Sequence, residues 1–349
     1  MQKTHSKYII VGAGLSGLTA GYTLYNQNER DFTILEARNR IGGRIHTHQG
    51  IDLGATWFQN YHEHLVDLAN TLNINSFPQY AKGTGILTYS PTAPAHYFES
   101  DPNGPSAYRF AGGSISLLNR LAEPLEKNMV LGAVVHAITA TSTGVSITTQ
   151  EQHYTAEKVI VTLPPQLASC IAYTPLLPPS LQYAMENTHT WMGNAIKVGL
   201  TFEQAFWREK GYSGIIMGQV GPTTELYDHS NALDTSFALM GFVNEQMRYE
   251  NPEKRKELIL GHLEEHFGKE VRQYHSYEEK DWSEDPFTFP EKFKGTYHMP
   301  QYGNPVFQSP YFNEKLWFCG AETSPIHGGY MDGAVYSGRS VVKKLLATD

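Results

Sequence analysis

The chain has 349 residues and a formal net charge of −8 at pH 7, with 40% hydrophobic residues. A chain of this length buries a large core and exceeds one typical domain, so we expect two lobes. The negative charge excludes nucleic-acid binding that rests on a basic surface. The two cysteines give no disulfide framework or metal-ligand spacing, and no apolar run reaches membrane length. We therefore expect a soluble, cytoplasmic protein.

The first stretch of the chain predicts a unit that binds a dinucleotide. Tyr8–Val11 is typical of a buried strand, an apolar helical pattern follows until Asn26, and a second strand, Phe32–Leu35, ends at Glu36. Glycines at the first turn let the backbone approach a pyrophosphate, and the acid is placed to bind a ribose hydroxyl. The alternative is a Gly-rich turn in an ordinary α/β protein. The glycines of this GxGxxG pattern are Gly12, Gly14 and Gly17.

The residues after Glu36 separate flavin from nicotinamide cofactors. The sequence LEARNRIGGR, which ends at Arg44, resembles the FAD fingerprint of the flavin-containing amine oxidases, the monoamine and polyamine oxidase family. The resemblance implies that Arg44 lies near the cofactor's pyrophosphate, because a guanidinium donates to phosphate oxygens in pairs. Alternatively, Arg38 and Arg44 are solvated surface charges. The same resemblance assigns further positions to the FAD site, namely Ser16, Arg38, Gly43 and Val135.

The C-terminal segment, KLWFCGAETSPIHGGYMDGAVYSG, resembles the second flavin motif of the same family. In that motif an acid just past a strand contacts the ribityl chain, a role that falls to Glu322 here. Gly329 allows close backbone approach, and a helix that begins at Met331 directs N–H groups at the flavin. The alternative is a helix that only packs. Tyr330 resembles one of two aromatic residues that flank the amine.

The second aromatic residue of that pair is not evident from the sequence. The family spacing, counted from Trp282, falls near Lys292–Phe293, and neither residue is the expected tyrosine. Other candidates are Phe287, Phe289 and Tyr297. His327 is a further candidate for the wall of the substrate pocket, although a lone histidine is more often structural.

Lys197 lies in the segment WMGNAIKVGLTFEQAFW, which resembles the family segment whose lysine holds a water against flavin N5. A cation there assists reoxidation by O₂, because it stabilises negative charge on oxygen in a dry site. The alternative is a strand lysine that faces solvent. We expect the catalytic residues to be Lys197 and Tyr330.

The substrate lobe is shorter than in the eukaryotic monoamine oxidases, where a long helical insertion is expected between Phe58 and Arg109. Here residues 90–105 are dense in Pro, Gly and Ser and predict a loop. We expect an active site that is open, or one that is covered by another subunit of a homo-oligomer.

Together with the strand pattern, the resemblance implies an α/β fold, a two-lobe FAD-dependent oxidoreductase with a Rossmann-like FAD-binding domain and a mixed α+β substrate domain. The mixed lobe follows from strands near 195–202, 213–219, 225–229 and 237–243 and an amphipathic helix near 252–267, without a βαβ rhythm. The predicted FAD-binding domain comprises 1–80, 109–168 and 300–349, and the substrate domain comprises 81–108 and 169–299.

The resemblance implies FAD-dependent oxidation of a small-molecule amine to an imine, which hydrolyses to an aldehyde and ammonia or an amine, with O₂ reduced to H₂O₂. The segment after Trp282 lacks the cysteine of the covalent members, so we expect non-covalent FAD. We expect no nucleic-acid, membrane or metal partner. One alternative is an FAD-dependent desaturase or dehydrogenase that acts on a larger substrate. Another is a catalytically degenerate flavoprotein with a binding role.

Overall fold

The computed structural model describes residues 4–90, 92–99, 107–294 and 301–348. The helices are α1 (Leu15–Asn26), α2 (Glu63–Thr71), α3 (Ile115–Ala122), α4 (Pro165–Ala168), α5 (Pro179–Asn187), α6 (Phe206–Glu209), α7 (Pro252–Phe267) and α8 (Met331–Leu346). The strands are β1 (His5–Val11), β2 (Phe32–Leu35), β3 (Thr47–His48), β4 (Ile51–Asp52), β5 (Ser76–Pro78), β6 (Thr84–Thr88), β7 (His96–Glu99), β8 (Tyr108–Phe110), β9 (Met129–Val130), β10 (Val135–Ala140), β11 (Val145–Thr149), β12 (His153–Val161), β13 (Ala172–Thr174), β14 (Ile196–Phe202), β15 (Tyr212–Gly218), β16 (Thr223–Asp228), β17 (Phe237–Val243), β18 (Ser276–Asp281) and β19 (Leu316–Phe318).

The first sheet contains the dinucleotide-binding unit predicted from the sequence. Its strands lie in the order β13-β10-β11-β12-β1-β2-β9, and β19 pairs with β12. β1 is parallel to both of its neighbours, with Ile9 opposite Val159 on β12 and Thr33 on β2. A parallel strand buried on both faces is apolar along its length, which explains why Tyr8–Val11 was recognisable in the sequence.

Helices α1 and α8 cover one face of this sheet. Tyr8 and Ile10 point into the hydrophobic core that these helices share, whereas Ile9 and Val11 point into the core on the other face. The two helices approach closely at Gly338, where a Cβ atom would lie 2.6 Å from the backbone oxygen of a residue in α1. The helix from Met331 predicted by the sequence is therefore part of the packed core of the first lobe.

The second sheet is antiparallel except for one pair. Its strands lie in the order β18-β14-β17-β16-β15-β6-β7, and only β15 and β6 run parallel within it. Helix α7 covers one face, where Ile259 and Leu263 share a core with Val198 and Leu200 of β14. The opposite face packs on the first lobe, since a Cβ atom at Gly199 would lie 2.5 Å from the Ile51 side chain. This arrangement confirms the α/β class with a second, mixed lobe.

Three strands of the second sheet, β6, β7 and β18, were not predicted. The sequence predicts a loop over 90–105, but His96–Glu99 forms β7, while residues 91 and 100–106 lie outside the described ranges. β7 pairs with β6 in a short hairpin. The Pro-rich composition around β7 is typical of a loop, and for this reason the strand was not predicted. β18 is an edge strand of polar, half-buried residues that pairs with β14. Edge strands tolerate charge, so β18 lacks the apolar alternation that marks a strand in a sequence.

The division into domains stays a prediction. The strands of the first sheet fall within 1–80, 109–168 and 300–349, with the addition of β13 just beyond this division. The strands of the second sheet fall within 81–108 and 169–299. The strand grouping supports the proposed division and suggests moving one boundary past β13.

Candidate active site

A first cavity opens at the carboxyl end of β1, between the Gly-rich turn and the start of α8, and encloses about 800 Å³. In doubly wound sheets, ligands bind at this edge. The structure brings together here residues that are distant in the sequence. The predicted residues that line the first cavity are Gly12, Gly14, Ser16, Glu36, Arg38, Gly43, Arg44, Gly329, Tyr330 and Met331.

The Gly-rich turn leaves room for a ligand beside the helix N-terminus. Gly14 is the N-cap of α1 and no side chain caps this helix, so its first N–H groups have no partner within the helix. A Cβ atom at Gly14 would meet no heavy atom within 4 Å, whereas one at Gly17 would lie 2.0 Å from the Gly12 oxygen. Gly17 does not line the cavity but is required for the turn. These features fit the pyrophosphate of a dinucleotide.

Glu36 is the acid predicted to bind a ribose. Its side chain lines the first cavity, yet the residue is only 3% exposed. The carboxylate accepts the backbone N–H groups of Ala13 at 2.8 Å and Arg38 at 2.9 Å. These bonds fix the acid at the end of β2 and leave acceptor positions on both oxygens.

Arg38 links the first cavity to the second lobe. Its guanidinium donates to the Asp285 carboxylate at 2.6 Å and to the Thr288 hydroxyl at 2.9 Å. Val135 does not line the first cavity but lies on an adjoining side cavity, together with Glu36 and Arg38. The assignment of Val135 to the cofactor site therefore depends on whether a bound cofactor extends into the side cavity.

Arg44 and Glu322, which the resemblance assigns to different parts of the cofactor, form an ion pair. Arg44 donates to both oxygens of Glu322, and Thr190 donates to the same carboxylate at 2.6 Å. Burial alone would raise the pKa of Glu322, but the charge and hydrogen bonds of Arg44 lower it. Glu322 is thus a buried carboxylate beneath the cavity wall, and the side chain of Arg44 lies on that wall.

A second cavity adjoins the first and shares Ala55, Trp191, Gly329, Tyr330 and Met331 with it. It encloses about 1450 Å³, part of it open to solvent. This arrangement places the second cavity in front of the wall formed by the start of α8. It is the place where a substrate would meet a cofactor bound in the first cavity.

Lys197 does not face solvent, because it is 1% exposed and lines the second cavity. Its ammonium donates to the backbone oxygens of Gly54 at 2.7 Å and Asp52 at 3.2 Å, and to the Thr56 hydroxyl at 2.7 Å. Burial lowers the pKa of Lys197 to about 7, although the charges of Asp52 and Glu225 raise it. The protonated form of this amine therefore predominates below about pH 7.

Aromatic side chains form the walls around Tyr330. Trp191 and Tyr302 line the second cavity with it, and the Tyr302 ring packs on Gly329, where a Cβ atom would lie 2.6 Å away. The sequence did not identify Tyr302 because no flanking motif marks it. Among the candidates for the second ring, Phe287 lines the first cavity and Tyr297 lies outside the described residues. Two more candidates, Phe289, which packs against Gly193, and Phe293, do not line the second cavity.

Glu225 brings a negative charge to the second cavity. It lies on β16 with its side chain exposed, and the Tyr227 hydroxyl donates to its carboxylate at 2.9 Å. Burial and the charge of Glu225 raise the pKa of Tyr227. No arginine is among the described residues that line this cavity. An acid on a strand is common, so the sequence gave no reason to select Glu225.

His327 does not line the second cavity, which favours the structural role that the sequence analysis gave as the more common one for a lone histidine. Its Nδ1 donates to the buried Asp332 carboxylate at 2.7 Å. The histidine that does line the cavity is His62, whose ring lies 4.9 Å from that of His327 and 5.3 Å from that of Tyr330. Burial lowers the pKa of His62, so the imidazole is neutral at pH 7.

Neither cysteine lines the second cavity. Cys319 is buried beside the Ser16 hydroxyl at 3.2 Å, and burial raises the pKa of its thiol to about 12. Cys170 is exposed and borders the side cavity. Non-covalent attachment of the cofactor stays a prediction.

The fold and the paired cavities define a two-lobe oxidoreductase that binds a dinucleotide cofactor. The family model "Flavin containing amine oxidoreductase" matches residues 15–98 and 87–346. The chain therefore belongs to the flavin-containing amine oxidoreductase family, and its cofactor is FAD. The uncapped helix at Gly14, the room beside it and the buried Glu36 fit that cofactor.

Relatives match over most of the chain. It is 23% identical to "Probable flavin-containing monoamine oxidase A" of Dictyostelium discoideum, with 97% of this chain and 96% of the relative covered. It is 30% identical to "Amine oxidase [flavin-containing] B" of Homo sapiens, covering 71% of this chain and 48% of the relative. An "L-amino acid dehydrogenase" of Synechocystis is 23% identical over 97% of this chain and 94% of its own.

Solved structures share the fold. Putrescine oxidase, in a structure of the wild type bound to putrescine, superposes with a TM-score of 0.85 at 22% identity, covering 98% of this chain and 99% of that chain. Cyclohexylamine oxidase from Brevibacterium oxydans gives a TM-score of 0.86 at 20% identity, with coverage of 98% and 99%. In the described part of this chain, no helix combines the length and apolarity that crossing a bilayer requires.

Proposed function

We propose that the enzyme oxidises an amine that carries a second cationic group, with O₂ as electron acceptor. The observation that supports this proposal is the combination of Tyr330, Lys197 and Glu225 around one cavity next to the FAD site. FAD held beside Glu36 and Arg44 would supply the acceptor for a hydride from the carbon that bears the nitrogen, and O₂ would then take up the two electrons, with two protons, as H₂O₂. The resulting imine hydrolyses to an aldehyde and ammonia.

The aromatic walls bind and orient the reacting amine. Tyr330, Trp191 and Tyr302 present ring surfaces that exclude water and favour a cationic or polarised nitrogen. Lys197 supplies a buried positive charge that stabilises negative charge developing on oxygen. Neutral His62 borders the same space and adds no charge that would repel the substrate.

Glu225 is the group that would hold the second cation. Its carboxylate has one bond from Tyr227 and lies at the exposed side of the cavity, where a long substrate emerges. The absence of arginine from the described lining disfavours an amino-acid substrate, whose carboxylate would require a partner. Putrescine, the ligand named for one structural neighbour, has the required two amines.

A test of the substrate class compares a diamine with a monoamine. Glu225→Gln should raise KM about fivefold for putrescine and leave KM for butylamine unchanged, since an exposed ion pair contributes up to about 1 kcal/mol. Glu203→Gln, which changes an exposed acid outside the cavity, serves as the matched control. Equal changes for both amines would contradict the proposed role of Glu225.

Dehydrogenation with another electron acceptor is the second candidate. The open mouth of the second cavity favours it, because Tyr330 is 57% exposed and Trp191 is 45% exposed. Peroxide measurement during turnover distinguishes the two candidates. One H₂O₂ per aldehyde supports the oxidase, and turnover that depends on an added dye without peroxide supports the dehydrogenase.

A further inference from the structure

We propose that His262, Glu265 and His266 of α7 form a divalent metal site at the edge of its packed face and that this site binds Zn²⁺. One ligand atom from each side chain lies within 4.8 Å of the other two. The sequence predicts no metal partner, because these residues contain neither a HExxH motif nor a cysteine.

Helical geometry explains why the three side chains converge. Positions i, i+3 and i+4 share one face of a helix, so His262 lies next to Glu265 and His266. The two imidazole rings have centroids 4.7 Å apart and are nearly perpendicular. A histidine pair at i and i+4 is a recurrent zinc-binding arrangement on helices, and a nearby carboxylate completes a three-ligand set with room for water.

None of the three side chains forms a hydrogen bond or ion pair with a residue that the structure describes. The Nε2 atom of His262 is buried without a partner, which costs free energy in a metal-free protein. Two other acids of this helix are paired, since Arg272 forms ion pairs with Glu257 and Glu264. Three unpaired ligand atoms in one place are explained by a cation that binds all three.

The surroundings suit a cation and hold the site in place. His266 lies in the last turn of α7, where the helix dipole places partial negative charge. The turn before β16 packs on the His262 ring, because a Cβ atom at Gly221 would lie 2.8 Å from its Cε1 atom.

The site lies away from catalysis. No residue of α7 is among the described lining of either cavity, since the helix covers the far face of the second sheet. The turn at Gly221, which packs on His262, leads into the strand that carries Glu225, so an ion that fixes the His262 ring also supports this packing. The expected effect is on the stability of the second lobe rather than on electron transfer.

The test is titration of EDTA-treated holoenzyme with ZnCl₂ by isothermal calorimetry, with difference spectra of added Co²⁺ as a geometric probe. We expect one Zn²⁺ per chain, a rise in melting temperature, and the visible bands of four-coordinate Co²⁺. His266→Gln should weaken binding at least about tenfold, and Glu265→Gln, at an exposed position, should weaken it without affecting folding.

His153→Gln is the matched control, because it changes an exposed histidine on the first sheet. It should leave zinc binding unchanged. Retained flavin absorbance shows that each variant is folded. The proposal is overturned if the holoenzyme binds no stoichiometric Zn²⁺, or if it binds Zn²⁺ with the same affinity in His266→Gln and Glu265→Gln.

Discussion

Lys197 is a buried cation, and the free energy lost when its ammonium leaves water must be offset by interactions with its surroundings. Three oxygen acceptors from Asp52, Gly54 and Thr56 match the three N–H bonds of an ammonium. The Nζ atom of Lys197 also lies 5.0 Å from the centroid of the Trp57 ring and 4.9 Å from the centroid of the Phe242 ring. The buried ammonium attracts negative charge that develops nearby more strongly than an exposed one would, because water does not screen the interaction.

Replacement of Lys197 by methionine should separate the two half-reactions. Lys197→Met removes the charge while roughly keeping the length of the side chain. Reduction by amine should change little, since it depends on the aromatic walls. Reoxidation by O₂ should slow about 10²- to 10³-fold, the usual loss when one preorganised group is removed. Stopped-flow mixing measures each half-reaction, and an unchanged rate with O₂ would make Lys197 a structural residue.

The same lysine predicts a pH dependence. Its pKa is lowered to about 7, so the ammonium predominates below that value and loses its proton as the pH rises through it. Reoxidation should therefore slow between about pH 6 and about pH 9. In Lys197→Met this slowing should disappear, which serves as the internal control.

At the scale of elements, the turn between β1 and α1 decides whether FAD binds. Gly14 has an ordinary backbone conformation with φ −75°, and a Cβ atom there would project into free space. The Gly14→Val variant should therefore fold, but its valine side chain should fill the space beside the helix N-terminus where the cofactor would bind. Purified protein should lack flavin absorbance while keeping its circular dichroism spectrum.

Gly261→Val provides the matched control for this turn, because a Cβ atom at Gly261 also meets no heavy atom within 4 Å. It should retain the flavin and should not lose stability, because valine has a higher helix propensity than glycine. A yellow Gly14→Val protein with normal FAD content would contradict the placement of the cofactor at this turn.

The sequence predicts some secondary-structure elements of this fold and not others. β1 and α8 were predicted because their apolar patterns report burial directly. β18 was not, because a polar edge strand has no such pattern. In the site, Glu36 and Tyr330 were found through contiguous motifs. Two groups of the second cavity, Tyr302 and Glu225, depend on tertiary contacts between lobes, and no local signal marks them.

At the scale of the whole molecule, the short substrate lobe leaves the second cavity open. Trp191 and Tyr330, which line this cavity, are 45% and 57% exposed. Bulky or secondary amines should therefore be oxidised as readily as small primary ones, or a second subunit should cover the mouth. An amine panel combined with light scattering checks both outcomes. A monomer restricted to small primary amines would contradict this prediction.

The central claim is that this chain oxidises amines with FAD bound in the first cavity. The most direct measurement is anaerobic mixing of the FAD-loaded enzyme with putrescine and with butylamine, monitored through the visible flavin absorbance. The account predicts that the absorbance bleaches as amine is consumed and returns when O₂ is admitted, with H₂O₂ formed. Folded, FAD-loaded enzyme whose absorbance no amine bleaches would contradict the account.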